Sequence, residues 1–155
     1  MTILNLTQHV ATAEQLAAGV VDLSEDLRIK LQELLTFEDM PNSCTMQLRA
    51  DSIARLASNF FKEVTVRLED SPLDLAYRLD LTAPGLHNFN NLGMFRVMIG
   101  GAPFFMNTLE TELKRYNLRP VYAFSQRTSE DYVSPETGHT HKTTVFKHLG
   151  FVKAI

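Results

Sequence analysis

The chain has 155 residues, of which 45% are hydrophobic and 21% charged, and this composition predicts one globular domain over residues 1–155. Fifteen lysines and arginines against eighteen aspartates and glutamates give a net charge of −3, which disfavours duplex nucleic acid as a partner. No apolar run reaches the roughly 20 residues of a membrane helix, the N-terminus lacks the pattern of a signal peptide, and Cys44 is the only cysteine. We therefore expect a cytoplasmic protein with no membrane partner, no disulfide within the chain and no cysteine-based zinc cluster.

The first 36 residues alternate between strand and helix patterns. The apolar run 3–6 predicts a buried strand, and the capping box Thr12–Gln15 then begins a short helix that ends at Gly19. Residues 20–23 predict a second strand, and Ser24 begins a second helix. The apolar face of that helix carries four leucines: Leu27, Leu31, Leu34 and Leu35. Strand, helix, strand, helix is the opening of an α/β fold.

Residues 40–93 follow no comparably clear pattern. A third helix is predicted over 44–63, then one or two strands over 64–81 and a loop over 82–93. The third helix places five apolar residues inward: Leu48, Ile53, Leu56, Ala57 and Phe60. Two interpretations of 40–93 remain open: an insertion that covers a site, or a segment that builds a subunit interface.

The last third of the chain is regular again. Residues 94–99 predict a central strand, and Gly100–Gly101 turns it into a helix that has Pro103 at its first position. A buried strand follows over 120–124, and residues 126–152 predict a hairpin with its turn at 135–138. The fold class expected from these elements is α/β, a three-layer Rossmann-like domain with a mainly parallel sheet and a C-terminal β-hairpin.

Polar residues follow three of the predicted strands. Because ligands of open α/β sheets bind beyond the carboxyl ends of the strands, these residues are the candidate site, provided that their strands are parallel neighbours. They are Asn5, Thr7, Gln8 and His9 after the first strand, Gly100 and Gly101 after the strand at 94–99, and Ser125, Gln126 and Arg127 after the strand at 120–124.

Each candidate has a functional and a purely structural interpretation. Backbone N–H groups at Gly100–Gly101 and the following helix dipole suit an anion, or the pair is a tight turn that needs positive φ. The hydroxyls of Thr7 and Ser125 suit a phosphate or ribose, or they cap helices and turns. Arg127 suits bidentate phosphate recognition, or it is a solvated hairpin arginine. His9 is a general acid or base, a base-stacking partner, or a structural loop histidine.

The hairpin carries further titratable residues. His139 and His141 stand two residues apart, but no third ligand is evident, so an exposed hairpin is favoured over a metal site. Lys142 lies on the returning strand with Lys147 and His148, either as part of a basic set or as an edge strand protected by lysine.

Four segments together resemble a known family. They are residues 5–15, 98–103, 120–127 and 145–152, which read NLTQHVATAEQ, MIGGAP, PVYAFSQR and VFKHLGFV. The combination resembles the small CRISPR-associated Rossmann-like proteins related to CARF domains, including the stand-alone ring nucleases. The resemblance covers roughly residues 3–23 and 95–152 and leaves 40–93 unexplained.

The resemblance implies a homodimer that binds cyclic oligoadenylate across its two-fold axis and uses no metal or other cofactor. A ribose 2′-OH attacks the adjacent phosphate and leaves a 2′,3′-cyclic phosphate, while the protein aligns the groups and stabilises the developing charge. Under this hypothesis His9, Ser125 and Arg127 are catalytic. The remaining candidates then bind the substrate: Asn5, Thr7, Gln8, Gly100, Gly101, Gln126 and Lys142.

Two other classes of function remain open from the sequence. The same pocket in a non-enzymatic protein would sense or sequester a nucleotide signal, for instance in a phage or mobile element. A structural or interaction protein, in which 40–93 matters more than the pocket, would bind no nucleotide.

Overall fold

The computed structural model describes residues 2–69 and 95–154. Within these ranges five strands form one sheet: β1 Ile3–Asn5, β2 Val20–Val21, β3 Arg96–Met98, β4 Arg119–Val133 and β5 Thr140–Lys153. Their spatial order is β2-β1-β3-β4-β5. The first four strands in this order run parallel, and β5 pairs antiparallel with β4. The predicted α/β fold with a mainly parallel sheet and a C-terminal hairpin is confirmed.

The described ranges also contain four helices: α1 Ala13–Ala17, α2 Glu25–Leu35, α3 Ser43–Glu69 and α4 Pro103–Arg115. The connection from β1 to β2 runs toward one edge of the sheet, and the later connections run toward the other. Because crossovers between parallel strands are right-handed, α1 lies on one face of the sheet and α2, α3 and α4 lie on the opposite face. The result is three layers.

Side chains that alternate along β1 and β3 divide the core between the two faces. Leu4 and Leu6 belong to the larger cluster, which includes the buried apolar residues of α2, α3 and α4. A second, smaller cluster on the opposite face consists of four buried residues: Ile3, Val20, Met98 and Val121. Both faces of the short parallel strands are therefore apolar, as is typical of a parallel sheet between two layers.

The termini of α1 follow local sequence signals. The Thr12 hydroxyl accepts from the Gln15 N–H at 3.2 Å, and the Gln15 side chain accepts from the Thr12 N–H at 3.0 Å. This reciprocal pair is the predicted capping box. The helix ends before Gly19, whose φ of 95° is a conformation that glycine adopts without the usual steric cost.

The structure corrects the sequence analysis in α3. The helix continues to Glu69, so residues 64–69 are helical and not the start of a strand. Ile53, Leu56 and Ala57 are buried as expected, but Leu48 is 63% exposed. Leu48 stands five positions before Ile53, and at 3.6 residues per turn that offset turns Leu48 away from the apolar face. The strands expected over 70–81 and the loop expected over 82–93 lie outside the described residues.

The hairpin is longer than expected. The strand predicted over 120–124 continues to Val133, with a change of register at Phe124/Ser125 and a reversal at 134–139 in which Gly138 has a φ of 69°. Beyond the register change, residues 125–133 pair with residues 140–148 and with no other described strand, and we call these two segments the arm. In the part of the chain that the structure describes, no helix has both the length and the apolar composition needed to cross a bilayer.

Leu109 of α4 tests the larger core cluster, because its side chain is fully buried there. We expect Leu109→Ala to lower the free energy of unfolding by about 2–5 kcal/mol, since it removes buried methyl groups and leaves a cavity. Leu48→Ala on exposed α3 surface is the matched control and should change stability by less than about 0.5 kcal/mol. Urea denaturation of both variants measures the difference, and equal losses would contradict this description of the core.

Candidate functional site

A cavity of about 520 Å³ opens at the carboxyl ends of β1 and β3. The chain leaves β1 for β2 on one side and later returns to β3 on the other, so the strand order reverses between β1 and β3. Open α/β sheets bind ligands at such a switch point, because the loops that leave the two strands diverge there. The cavity volume lies in the range of about 300–1,000 Å³ found for small-molecule sites. We call this cavity the switch-point pocket.

The loop after β1 forms one wall of the switch-point pocket and rests on Asn5. The Asn5 side chain is 4% exposed, and its Oδ1 accepts from the Thr7 N–H at 3.0 Å and from the Thr7 hydroxyl at 2.8 Å. Its Nδ2 donates to the His9 carbonyl at 2.8 Å and to Asp22 Oδ1 at 2.6 Å. The Asn5 side chain thus donates both of its amide N–H groups and accepts two hydrogen bonds at its oxygen. Asn5 thus lies beneath the pocket and positions the loop, rather than presenting free polar atoms to a ligand.

Asp22 completes this network from the end of β2. Its carboxylate accepts from Asn5 and also from the Ala11 N–H, at 3.2 Å to each oxygen. A charged acceptor forms stronger hydrogen bonds than a neutral one, which stabilises the loop at both of its ends. Sequence reasoning missed Asp22, although it directly follows a parallel neighbour of β1 and so satisfies the rule that selected the other candidates.

Gln8 and His9 contribute differently to the wall. The Gln8 side-chain amide donates to the Leu35 carbonyl at 3.3 Å, and Gln32 donates to the Gln8 carbonyl at 3.1 Å, so Gln8 ties the loop to the end of α2. His9 lines the pocket with an exposed side chain. Of these two residues, His9 is the one whose side chain is available to a ligand.

Gly100 and Gly101, which lead from β3 into α4, form the opposite wall. Among the described residues, no acceptor is recorded for the N–H groups of Gly100 and Gly101. The N-cap residue Ala102 makes no side-chain cap bond, and the first turn of α4 contains no acidic residue. The other described helices differ: α1 has a capping box, α2 begins with Glu25 and Asp26, and the Asn42 side chain caps α3. The open N–H groups at this wall are therefore those of Gly100 and Gly101, and no acidic side chain in the first turn of α4 neutralises the helix end that follows them.

Tyr122 of β4 closes the side of the pocket toward the hairpin. Its hydroxyl donates to Glu110 of α4 at 2.5 Å. Burial raises the pKa of Tyr122 well above its ordinary value, and the hydrogen bond to Glu110 raises it further. Tyr122 therefore stays protonated over the physiological range and serves as a fixed wall rather than a base.

The structure separates the remaining sequence candidates from this pocket. Ser125, Gln126, Arg127 and Lys142 are exposed residues of the arm and are not among the described residues that line the pocket of the same chain. Arg127 Nη2 approaches the Thr144 hydroxyl across the arm at 3.5 Å. The expected crevice therefore unites the ends of the first strand and of the strand at 94–99, but not residues 125–127.

His139 and His141 also lie on the hairpin. The described residues contain no group of three or more histidine, cysteine, aspartate or glutamate side chains with metal-binding geometry. Neither histidine is brought near the switch-point pocket.

A cavity of about 610 Å³ also lies between the end of α2 and the start of α3. Its arginine, Arg49, donates to the carbonyls of Leu34 and Thr36 at the end of α2 and stacks on Phe37 at 4.5 Å. A guanidinium used in this way caps a helix and is not free for a ligand. Although this cavity is larger, the switch-point pocket is the better candidate because its N–H groups remain open.

The chain belongs to the family described as "Uncharacterized protein MJ1673 family", which matches residues 1–152. No curated protein and no solved structure matches the chain. The family match spans both walls of the pocket and the arm.

Asn5→Ala tests the loop scaffold. The substitution removes one of the two donors to the Asp22 carboxylate and the side-chain acceptor of the Thr7 N–H, and we expect a loss of about 1–3 kcal/mol in the free energy of unfolding. Hydrogen exchange should accelerate at the amides of Thr7 and Ala11. Asn107→Ala on the exposed surface of α4 is the control and should leave both unchanged. If loop amides in the Asn5 variant exchanged at the wild-type rate, the scaffold role would be wrong.

Proposed function

We propose that the switch-point pocket binds the phosphodiester of a nucleotide, and that the nucleotide is a cyclic oligoadenylate which the protein opens without a metal. The observation that carries the proposal is the pair of open N–H groups at Gly100 and Gly101, which precede the N-terminus of α4 and lie across the pocket from Thr7 and His9. Backbone N–H groups at a helix start are a common phosphate-binding arrangement.

The charge of the pocket supports a phosphodiester over a polyphosphate. The described residues that line it include no lysine or arginine. A helix N-terminus carries the equivalent of roughly +0.5 of an elementary charge, which suits a single negative charge better than the three or four of a nucleoside triphosphate. The linkages of a cyclic oligonucleotide each carry one charge.

The reaction that fits this pocket is attack by a ribose 2′-OH on the adjacent phosphorus. The 2′-oxygen forms a new P–O bond, the bond to the 5′-oxygen of the next nucleotide breaks, and the products carry a 2′,3′-cyclic phosphate and a 5′-hydroxyl. His9 is the group proposed to accept the 2′-OH proton, and the leaving 5′-oxygen takes a proton from His9 or solvent. The N–H groups of Gly100 and Gly101 stabilise the negative charge that grows on the phosphate oxygens.

This proposal includes the sequence-based expectation that the protein acts as a cytoplasmic homodimer in CRISPR-associated antiviral defence. A ring with rotational symmetry matches two equivalent pockets related by a two-fold axis. Arg127 and Ser125 have no part in the pocket of their own chain, so the proposed chemistry assigns the catalytic role to His9.

A second candidate function is a binder that sequesters the nucleotide without cleaving it. The observation that favours it is the small number of acid–base groups: Tyr122 is committed to Glu110, which leaves His9 as the one available titratable side chain among the described lining residues. A single histidine can transfer one proton at a time. If that is not enough for catalysis, the protein binds the nucleotide and cleaves it slowly or not at all. Incubation with radiolabelled cyclic oligoadenylates separates the two, because only an enzyme yields linear products.

His9→Ala is the test of the proposed base. Removal of a general base typically costs about 10²–10⁴-fold in rate, so single-turnover cleavage should fall by that amount while the Kd for the ring changes little. The wild-type pH–rate profile should show an ascending limb that is missing in the variant. A variant that cleaves at the wild-type rate, or that loses binding and cleavage in equal measure, would contradict the assigned role.

Gly101→Ala is the test of the phosphate site. Its φ of 152° is strained for any residue with a Cβ, so the substitution should displace the N–H groups at the start of α4 and weaken ring binding at least about 10-fold. Gly138→Ala is the matched control, since Gly138 also has positive φ but lies at the tip of the hairpin. Calorimetric titration with a non-cleavable cyclic oligoadenylate measures both, and equal affinities would place the ligand elsewhere.

A further inference from the structure

The switch-point pocket has two ends, one toward each face of the sheet. At one end, Ile99 and Tyr122 belong to or pack against the larger core cluster, and a Cβ at Gly101 would lie 3.6 Å from Met106 of that cluster. At the other end, Met98 and Ala123 belong to or pack against the smaller cluster, on the face where α1 lies. Thr12 and Gln15 of α1 also line the pocket, and we call the part formed by these two residues with Met98 and Ala123 the α1 end.

The capping box fixes the orientation of the Gln15 amide. Gln15 Oε1 accepts from the Thr12 N–H at 3.0 Å, and only the oxygen of an amide can pair with an N–H group. The two N–H groups at Nε2 therefore lie on the other side of the amide. Within residues 2–69 and 95–154 no acceptor is recorded for them.

Neighbouring polar side chains of the pocket are already used by the protein. The Gln8 amide donates to the Leu35 carbonyl at the end of α2 at 3.3 Å, and the Thr7 hydroxyl donates its single proton to Asn5 at 2.8 Å. Of the two amide side chains among the described lining residues, Gln15 is thus the one whose N–H groups are open to a ligand.

A fixed amide beside apolar side chains suits a nucleobase. The second lone pair of Gln15 Oε1 remains available, so the amide presents a donor and an acceptor side by side. Adenine is complementary to this pair, because its N6 amino group donates next to a ring nitrogen that accepts, whereas guanine and hypoxanthine carry an oxygen at position 6. Met98, Ala123 and the 54% exposed Val10 supply apolar contact for the faces of the base.

We propose that Gln15 selects the base of the nucleotide. Nε2 donates to N1 or N7 of an adenine, Oε1 accepts from its N6 amino group, and the adjoining phosphodiester lies at Gly100 and Gly101. This inference rests on the proposed function and names the residue that determines base specificity in that same pocket. The capping box alone does not require it, since glutamate at this position would complete the box equally well.

A change of base in the ligand tests the proposal. Calorimetric titration compares two rings of equal size and charge that lack the attacking hydroxyl, a 2′-deoxy cyclic oligoadenylate and a 2′-deoxy cyclic oligoinosinate. The wild type should bind the adenine ring at least about 10-fold more tightly, the discrimination typical of a bidentate amide–adenine pair. Gln15→Ala should bind the two rings within about 3-fold of each other, through a loss of affinity for the adenine ring.

Ala17→Gly is the matched control for the helix. Gln15→Ala weakens α1 by removing half of its capping box, and a glycine in this short helix weakens it without altering the amide. Ala17 is exposed and does not line the pocket. The Ala17→Gly variant should therefore keep the wild-type preference for the adenine ring, and loss of the preference in this variant would overturn the assignment to Gln15.

Rings that contain 1-deazaadenine or 7-deazaadenine identify the nitrogen that accepts from Nε2. One of the two should bind the wild type about 5-fold more weakly than the parent ring, because a buried N–H loses its acceptor. The same ring should bind Gln15→Ala as tightly as the parent ring does. If both deaza rings matched the parent in the wild type, the proposed hydrogen bond would be wrong.

The outcomes separate this inference from the proposed function. A wild type that binds the adenine and hypoxanthine rings equally, or a Gln15→Ala variant that keeps the wild-type preference, would overturn the role of Gln15. Adenine-ring binding that depends on Gly101 but not on Gln15 would reject this inference and leave the proposed function intact. A wild type that binds neither ring would reject the proposed function, and this inference with it.

A second variant replaces Gln15→Ala if that protein shows a reduced folded fraction by circular dichroism. Gln15→Glu keeps the capping box but cannot donate to the base. Ala13→Glu adds the same charge to exposed α1 surface outside the lining residues and is its control. The affinity of Gln15→Glu for the adenine ring should be at least about 10-fold below that of Ala13→Glu, and equal affinities would overturn the proposal.

Discussion

The position of β1 between β2 and β3 is the constraint on which the rest of the site depends. Because the chain moves outward from β1 to β2 and then crosses back to β3, the loops at the ends of β1 and β3 leave the sheet toward opposite faces. That divergence opens the pocket. The parallel pairing of β1 with β2 also brings the Asp22 carboxylate, at the end of β2, next to the Asn5 amide, at the end of β1. The pocket and the hydrogen bonds of Asn5 thus both result from the position of β1 between β2 and β3.

A buried amide is well suited to the position of Asn5. The loop after β1 presents both a donor, the Thr7 N–H, and an acceptor, the His9 carbonyl, to the same side chain. An aspartate there would lack donors for the His9 carbonyl and would lie 2.6 Å or so from a second carboxylate. An apolar residue would leave buried backbone groups unsatisfied. The position of the pocket wall therefore depends on a residue that does not itself line the pocket.

The features that the sequence alone predicted are those that depend on residues close together in the chain. The capping box at Thr12 and the turn at Gly100–Gly101 depend on residues a few positions apart, so they could be identified without the fold. Asp22 was missed because its partner is 17 residues away and the order of the strands decides their proximity. Arg127 was expected at the pocket because the strand at 120–124 was expected to end there. Instead β4 passes through a register change and continues, and that continuation carries Arg127 away on the arm.

The same continuation separates two surfaces of the protein with different chemistry. The arm carries charged side chains of both signs and exposed apolar residues. The pocket presents open backbone N–H groups at Gly100 and Gly101, and the described residues that line it supply no cationic side chain. Backbone donors lose little conformational entropy on binding, whereas a long cationic side chain must be immobilised. For the proposed phosphodiester ligand, selectivity would therefore depend on where the phosphate oxygens lie relative to the N–H groups of Gly100 and Gly101.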